Sequence, residues 1–562
     1  MPLLYLKNKN ILIYLLYFAF CLFIATLEIL AYLKPDVPLF SILASRIWFI
    51  WSVFSILLSL LIFFKVFLSD ILHKNILSLI ALFIVTFFVS FNISSFPQNI
   101  SAESTQELSA GLNNLIKPDL GYTENAFLGY PSRQYIISAF PSLIFGRTIL
   151  GIRLGFLLPF IIGIFIFYAG IKSYFSYSSH IDENLGLIIM TILSFPIIIL
   201  LLRIFEQASL SVAYTFWAIG LLFYTLKNPK IHFVLTLIWI ISMLSTTYTP
   251  SLATWSLLII FLIYISVKTI IKEKYYFALL WLGCMISSFT IGFNALNHRA
   301  DAKLAKIDQN QTTTIGKLPE ALEYFSFKNT EVWDFSLPFF GPIIAAPIAI
   351  YILSSLLFLN GYKHFALNLW IFATLLISVV SPGYALPSVK FGIHRTIVII
   401  PPLLAGITII IDKYKIGIPR KLFFPIFILL IIYGAYITTV IYQQFNQKVD
   451  ERSLVLREVL RIIKNQSFPQ LDPVQIKNLS SNTDPILSPD HLKYFFPKFN
   501  FISDNSSCFN DIDFNQNAII YIDDICTEEL SKYKNQLDIH PFTVNLKDTQ
   551  KKVKIAINKS YH

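Results

Sequence analysis

Long apolar runs separated by short polar loops occupy most of the first four-fifths of this chain. The hydrocarbon core of a bilayer is about 30 Å thick, which a helix of about 20 apolar residues crosses. Runs of this kind lie near residues 11–33, 47–68, 76–92, 149–171, 184–202, 207–225, 232–248, 251–267, 276–293, 338–359, 365–381, 395–411 and 422–442. The pattern predicts a mainly α protein, a polytopic bundle of about 13 transmembrane helices.

Composition agrees with this fold class and excludes others. Of the 562 residues, 55% are hydrophobic and 14% are charged, which is typical neither of a soluble domain nor of a disordered chain. The net charge of +11 could indicate nucleic-acid binding, but the lysines lie in short loops between apolar runs rather than in a basic tract with interleaved aromatics. We therefore expect an integral membrane protein of the cell membrane, with the lipid bilayer and not nucleic acid as its partner.

The loop lysines also predict the orientation of the chain. Cytoplasmic loops carry an excess of Lys and Arg, and basic residues recur in alternate loops from Lys7 and Lys9 to the group around Arg420. This places the N-terminus in the cytoplasm. The three long polar segments, residues 93–148, 294–337 and 443–562, then lie outside together with the C-terminus.

The last of these segments is predicted to be a small extracytoplasmic α/β domain. It opens with a charged helical stretch whose apolar residues recur at helical spacing, and it continues with strand-like runs at 518–525 and 552–560. Cys508 and Cys526 would be able to form a disulfide in such a compartment, the alternative being two free thiols.

Ionisable residues near membrane depth are rare in this chain, and such residues usually serve function. They are Glu28, Arg153, Arg203, Glu206, Asp334 and Arg395, with Glu103 in the first long loop. All but Glu28 fall near the predicted outer ends of spans. Because the middles of the spans are almost purely apolar, the sequence favours an enzyme acting at the membrane surface over an ion-coupled transporter.

The first long loop carries a more specific signal. It reads SAESTQELSAGLNNL and then GYPSRQYIISAFPSLIFGRTILGIRLGF. This text resembles the GT-C superfamily of glycosyltransferases that use polyprenyl-phosphate sugars, particularly the protein-mannosyltransferase and aminoarabinose-transferase-like families. Those families show D-E at the loop start, P-P-L-Y in the middle and F-G-x6-R-L at the end. The matching residues are Glu103, Pro131, Tyr135, Phe145, Gly146, Arg153 and Leu154.

The resemblance implies a domain organisation and an activity. Residues 76–442 would form the GT-C-like catalytic module, residues 1–75 two additional N-terminal helices, and residues 443–562 the external domain. The activity would be transfer of a sugar from a polyprenyl phosphate to a glycan, lipid or protein acceptor at the external membrane face. The long loop 294–337 would close over the substrate.

The resemblance also implies residue roles. Glu103 would be the catalytic base for the acceptor hydroxyl, since a carboxylate partly removed from water serves well in that role. The stretch LSFPIIILLLRIFEQASLSV is similar to the next external turn of the family and makes Glu206 a ligand for a divalent metal, Mg or Mn. The stretch FGIHRTIVIIPPLLAGI places Arg395 at the lipid phosphate, whose oxygens suit a guanidinium.

Three further residues are assigned to the substrate or its phosphate, namely Arg133, Tyr135 and Arg203. The two arginines also have a simpler interpretation. Arg133 is a polar loop residue, and Arg203 could form an interfacial salt bridge with Glu206. Glu103 itself could be an acidic residue in the first turn of a helix capped by Ser101.

The sequence departs from the family at one position. Ala102 stands where the acidic pair has Asp. A divergent, non-catalytic member of the superfamily is therefore one alternative. A lipid or polysaccharide transporter and a structural subunit of an envelope-assembly complex are the others.

Overall fold

The computed structural model describes most of the chain. The described residues are 2–34, 36–72, 76–95, 102–116, 132–175, 179–204, 207–247, 251–297, 329–332, 335–338, 397–415, 417, 419–447, 451–465, 475–478, 487, 489–497, 500–503, 519–523, 527–545 and 550–559. They group into two compact units. The first unit comprises Met1–Phe91, Ala110–Phe140 and Leu154–Thr439, and the second comprises Asn92–Ser109, Pro141–Arg153 and Val440–His562.

Helices make up most of the described chain. In order they are α1 Pro2–Leu33, α2 Pro38–Leu72, α3 Ile76–Ser90, α4 Ala102–Ile116, α5 Ile136–Phe145, α6 Ile149–Tyr174, α7 Ser179–Met190, α8 Pro196–Ile204, α9 Gln207–Lys227, α10 Ile231–Thr246, α11 Ser251–Ile271, α12 Tyr275–Asn297, α13 Ile400–Tyr414 and α14 Arg420–Gln447. A short 3₁₀ turn, Ser132–Tyr135, precedes α5. The prediction of a helical membrane protein is confirmed.

The predicted count of 13 spans is not confirmed. Within the described residues, seven helices are long and apolar enough to cross a membrane, or eight if a bent pair counts as one span. Three of the predicted spans are shorter apolar helices, 76–90, 231–246 and 397–412. The predicted spans 338–359 and 365–381 lie outside the described residues. The predicted span 184–202 is the bent pair, which turns by 62° just before Pro196, where a proline cannot continue the hydrogen-bond ladder.

Polar side chains inside the first unit are used to join helices. The indole Nε1 of Trp239 donates to Ser52 Oγ at 2.9 Å, and that of Trp217 donates to Ser59 Oγ at 2.9 Å. Both serines lie on α2, and all four side chains are buried. Such hydrogen bonds and small residues hold helices together where hydrocarbon offers no hydrophobic driving force.

Helices α6 and α9 approach each other closely through glycine. A Cβ added at Gly163 would lie 2.5 Å from the carbonyl oxygen of Ala213. We expect Gly163→Ala to lower the unfolding free energy by about 1–3 kcal/mol, because backbone would have to move apart. Gly186→Ala is the control, since its Cβ would meet nothing closer than 3.4 Å. Thermal unfolding in detergent should show a lower midpoint for the first variant only. Equal midpoints would contradict the close packing.

The second unit contains the C-terminal α/β fold that the sequence predicts. Helix α15 (Glu451–Asn465) precedes a five-stranded sheet in the order β4-β3-β5-β7-β6. The strands are β3 Gln475–Asn478, β4 Asn500–Ser503, β5 Ile519–Asp523, β6 Leu537–Asn545 and β7 Gln550–Asn558, with the helices α16 Pro489–Phe495 and α17 Thr527–Lys532 between them. The predicted strands 518–525 and 552–560 correspond to β5 and β7. A separate hairpin in the first unit pairs β1 (Asn329–Val332) with β2 (Phe335–Pro338).

The pairing in this sheet is mixed. Strand β3 runs parallel to β4 and β5, while β7 runs antiparallel to β5 and β6. Strand β6 is an edge strand, which explains how it tolerates Pro541. Ile476, Ile522 and Ile555 are fully buried and contribute to the core. Cys508 and Cys526 lie outside the described residues, so their pairing stays a prediction.

Candidate functional site

Helix α4 carries the predicted catalytic base. It begins at Ala102, so Glu103 lies in its first turn. Carboxylates are favoured there by the helix dipole. The side chain of Glu103 and the predicted cap Ser101 lie outside what the structure describes. The structure therefore confirms a helix at the start of the loop and leaves the role of Glu103 a prediction.

Later in the loop, the Ser132–Tyr135 turn is buried within the first unit. Arg133, Gln134 and Tyr135 are each no more than 1% exposed. Tyr214 Oη on α9 donates to the carbonyl oxygen of Gln134 at 2.9 Å. A Cβ at Gly111, in the third turn of α4, would lie 2.5 Å from the carbonyl oxygen of Tyr135. Helix α4 thus rests directly on the backbone of this turn, and only glycine permits that approach.

The guanidinium of Arg133 is paired with the carboxylate of Glu28. Arg133 Nη1 lies 2.9 Å from Glu28 Oε1, and the two side chains are 1% and 3% exposed. Asn294 Nδ2 on α12 donates to Glu28 Oε2 at 2.7 Å and to the carbonyl oxygen of Glu28 at 3.1 Å. The guanidinium also lies over the ring of Trp48, 5.6 Å from its centroid. Four segments, α1, α2, α12 and the turn, meet at this ion pair.

Sequence reasoning identified Glu28 as an ionisable residue inside a span but gave it no partner. Arg133 was assigned to the substrate. A partner for Glu28 could have been sought among the loop arginines, because an intramembrane carboxylate is almost always paired. Nothing in the local sequence pointed to Arg133 in particular, since the two residues lie 105 positions apart.

Arg203 is a second buried arginine, at the end of the bent pair. It is 2% exposed. Its Nη2 donates to the carbonyl oxygen of Phe88 at 3.2 Å, and its Nη1 has no hydrogen-bond partner among the described residues. In that part of the chain no carboxylate pairs with it either. A buried cation without a counter-charge is costly, so this guanidinium is suited to bind an anion. The predicted neighbour Glu206 lies outside the described residues.

Two further predicted features are not settled. Arg395 lies outside the described residues, as do residues 298–328 and 333–334 of the loop 294–337. Among the residues that are described, no group of three or more His, Cys, Asp or Glu side chains could hold a metal ion. The predicted divalent metal at Glu206 therefore stays a prediction.

In the second unit, the loop contacts the C-terminal domain. Ser142 Oγ on α5 and Tyr494 Oη on α16 are hydrogen-bonded at 2.7 Å, and Arg147 Nη1 donates to the carbonyl oxygen of Tyr494 at 3.2 Å. Arg153, which belongs to the F-G-x6-R-L motif, donates from Nη1 to the carbonyl oxygen of Ile93 at 2.7 Å. The motif arginine thus joins the two ends of the first external loop. Sequence reasoning missed Tyr494 because its partners lie more than 340 residues away.

The contact at Tyr494 predicts a pH effect. Burial raises the pKa of Tyr494 to about 12, above its ordinary value of 10. Stability due to the neutral phenol is thus fully present below pH 10 and is lost as pH rises toward 12. We expect Tyr494→Phe to lower the unfolding free energy by about 1 kcal/mol at pH 8. The difference between the variant and the wild type should shrink between pH 10 and pH 12. A difference in unfolding midpoint that is constant over that range would contradict the assignment.

Sequence reasoning also missed a buried ion pair between Asp70 and Lys172. Asp70 of α2 accepts a hydrogen bond from Tyr168 of α6, and Lys172 Nζ lies 3.3 Å from Asp70 Oδ1. Asp70 is 2% exposed and Lys172 9%. Because Trp48 and Asp70 lie on the same helix, they are separated by about 33 Å along it at 1.5 Å per residue. The two ion pairs therefore lie near opposite ends of α2.

Comparisons with known proteins address the fold. No protein-family model and no curated protein sequence matches the chain. Among solved structures, ArnT from Cupriavidus metallidurans in the apo state superposes with a TM-score of 0.50 at 9% identity, covering 85% of this chain and 96% of ArnT. The same protein bound to undecaprenyl phosphate gives a TM-score of 0.46 at 10% identity, covering 86% and 97%. AglB, the oligosaccharyltransferase of Archaeoglobus fulgidus, in complex with an inhibitory peptide and a dolichol-phosphate, gives 0.38 at 9% identity, covering 73% and 62%.

Only the first of these superpositions reaches a TM-score of 0.5, and the fold assignment rests on it. ArnT, an aminoarabinose transferase, is a member of the GT-C superfamily. The chain therefore shares the fold of ArnT over most of its length, which agrees with the resemblance that the loop motifs indicate. At 9% identity this likeness establishes the fold and not the reaction.

Proposed function

We propose that this protein is a membrane glycosyltransferase that takes a sugar from a polyprenyl phosphate and transfers it to an acceptor at the external membrane face. The GT-C fold, shared with the aminoarabinose transferase ArnT, supports a transferase of this general kind. The observation that carries the proposal is Arg203. Its guanidinium is buried, and its Nη1 has no hydrogen-bond partner among the described residues. An anion would stabilise this guanidinium, and a lipid phosphate is an anion that a membrane supplies.

In the proposed reaction, Glu103 removes the proton from the acceptor hydroxyl. The hydroxyl oxygen attacks the anomeric carbon of the donor sugar, and the bond from that carbon to the phosphate oxygen breaks. Polyprenyl phosphate leaves with the electron pair of that bond, and Arg203 and Arg395 offset its growing charge. One direct displacement inverts the anomeric carbon. A divalent metal held by Glu206 would place positive charge beside the phosphate and help to offset the negative charge that grows there.

The proposal also concerns Tyr135, Arg133 and the acceptor. The contact of Tyr135 with the substrate, which the resemblance implies, stays a prediction. For Arg133 the prediction of phosphate binding stays untested. The acceptor, a glycan, lipid or protein, would approach from the extracytoplasmic side, where the C-terminal domain is proposed to orient it.

The proposal predicts binding that depends on the lipid phosphate. We expect polyprenyl phosphate to raise the thermal unfolding midpoint of the purified protein in detergent, because a ligand that binds only the folded state stabilises it. The matched ligand is polyprenol of the same length, which lacks the phosphate and should give a much smaller shift. Equal shifts for the two lipids would contradict a phosphate-binding site.

A further inference from the structure

The motif resemblance predicts that helices α1 and α2 are additions to the catalytic module. In the structure, both helices contact the first external loop. Glu28 lies in α1 and Trp48 in α2, and both contact Arg133 of that loop. Asn294 of α12 donates one hydrogen bond to the Glu28 carboxylate and one to the backbone carbonyl oxygen of Glu28. Asn294 and Arg133 therefore both hold the Glu28 carboxylate in place.

The pairing also limits what Arg133 can do. Its guanidinium is 1% exposed and already faces a carboxylate at 2.9 Å. A phosphate brought to the same place would meet the negative charge of Glu28 at close range. Arg203, by contrast, has no carboxylate partner among the described residues. Arg133 and Arg203 thus differ in whether a described carboxylate already neutralises the guanidinium.

The Arg133 turn supports the helix that carries Glu103. Gly111 of α4 lies against the backbone of Tyr135, and Tyr214 holds the carbonyl oxygen of Gln134. A shift of the turn would have to move α4, because no space remains at Gly111. The turn is itself fixed to the membrane helices by the ion pair between Arg133 and Glu28.

We propose that Glu28 is a positioning residue for the transfer reaction: by pairing with Arg133 it fixes the Ser132–Tyr135 turn beneath α4, and Arg133 is an anchor rather than a phosphate ligand. This inference rests on the proposed glycosyltransferase function. It assigns to α1 and α2 a role in building the site.

The test is a double-mutant cycle with a matched control. The variants are Glu28→Leu, Arg133→Met and the two combined. Each is purified in detergent, and its unfolding midpoint and its rate of sugar transfer per folded molecule are measured. The control cycle is Asp70→Leu, Lys172→Met and their combination. That pair is also buried and also involves α2, but it lies about 33 Å along α2 from Trp48.

Each single variant leaves an uncompensated charge, and the double variant removes both charges. In both cycles we expect the single variants to lose about 5 °C or more in unfolding midpoint and the double variant to regain most of it. The rate of sugar transfer should differ between the Glu28/Arg133 cycle and the control cycle. Glu28→Leu and Arg133→Met should lose about 100-fold in rate, the effect of a misplaced catalytic group, and their combination should recover to within about threefold. The folded control variants should transfer at the wild-type rate.

Three results would overturn the inference. A Glu28/Arg133 double variant that regains its midpoint but not its transfer would show that the charge of Arg133 acts on the substrate. If the control variants lost as much transfer as the Glu28 and Arg133 variants, general destabilisation of the protein would explain the loss. Single variants that transfer like the wild type would remove Glu28 from the reaction.

The thermal measurements keep the inference separate from the proposed function. If the wild type transfers sugar from no donor, the proposed function fails and the catalytic role of Glu28 fails with it. The unfolding midpoints still decide whether Glu28 anchors Arg133. A double variant no more stable than its single variants would reject the anchor itself.

Discussion

Replacing Glu103 with Gln should reduce the rate of sugar transfer by about 10²–10⁴-fold, the usual contribution of a general base. The substitution keeps the size of the side chain and removes its ability to accept a proton. The loss should fall on the rate at saturating donor, because proton removal belongs to the chemical step and not to donor binding. Unfolding should be nearly unchanged, because the substitution keeps the size and shape of the side chain.

The control for Glu103 is a neighbour on the same helix. Gln106 is half-buried in α4, and Gln106→Ala should leave transfer within about twofold of the wild type, as substitutions away from the chemistry usually do. A Glu103→Gln variant that transfers as fast as Gln106→Ala would exclude Glu103 as the base. If the wild type also transferred no sugar above background, the protein would be a divergent, non-catalytic one, the alternative that Ala102 suggests.

Replacing Arg203 with Met should reduce transfer by about 10²–10³-fold, the usual effect of removing a charge stabiliser in a dry site. In this case both donor binding and the rate at saturation should suffer, because the phosphate carries charge before the reaction and gains more as it leaves. Arg203→Lys keeps the charge but loses the planar fork, so it should retain part of the activity. Stability should rise or stay unchanged, since a buried cation without a counter-charge is removed.

Arg46 is the control for Arg203. It is an exposed arginine on α2, and Arg46→Met removes one positive charge from a residue with no proposed role in donor binding. Transfer by this variant should match the wild type. An Arg203→Met variant that is unchanged in transfer and in response to polyprenyl phosphate would show that the buried guanidinium binds no donor.

The sequence predicted the fold well wherever the signal was local. The long apolar runs that fall on described residues correspond to helices, and the strand-like runs 518–525 and 552–560 correspond to β5 and β7. The count of spans was less reliable, because three of the predicted spans are helices of 10–17 residues, and two more lie outside the described residues. Strands β3 and β4 were missed because they are only four residues long, and β6 was missed although apolar and polar residues alternate on both sides of its Pro541.

Site residues were predicted less well, because their contacts are between distant parts of the chain. The first external loop was identified from its motifs, and the structure places Arg133 and Tyr135 in one buried turn. The pairing of Arg133 with Glu28, the hydrogen bonds from Asn294 and the contact of Ser142 with Tyr494 all depend on tertiary structure. No periodicity or spacing within a single segment encodes such contacts.

The most direct test of the account is transfer of a labelled sugar from polyprenyl phosphate by membranes containing the wild type or Glu103→Gln, with equal amounts of folded protein confirmed. We predict a labelled product from the wild type and its loss in the variant. Equal transfer by both would remove Glu103 from the mechanism. The absence of transfer by the wild type, across donors that differ in sugar and in prenyl length, would contradict the assignment of this GT-C fold to a glycosyltransferase.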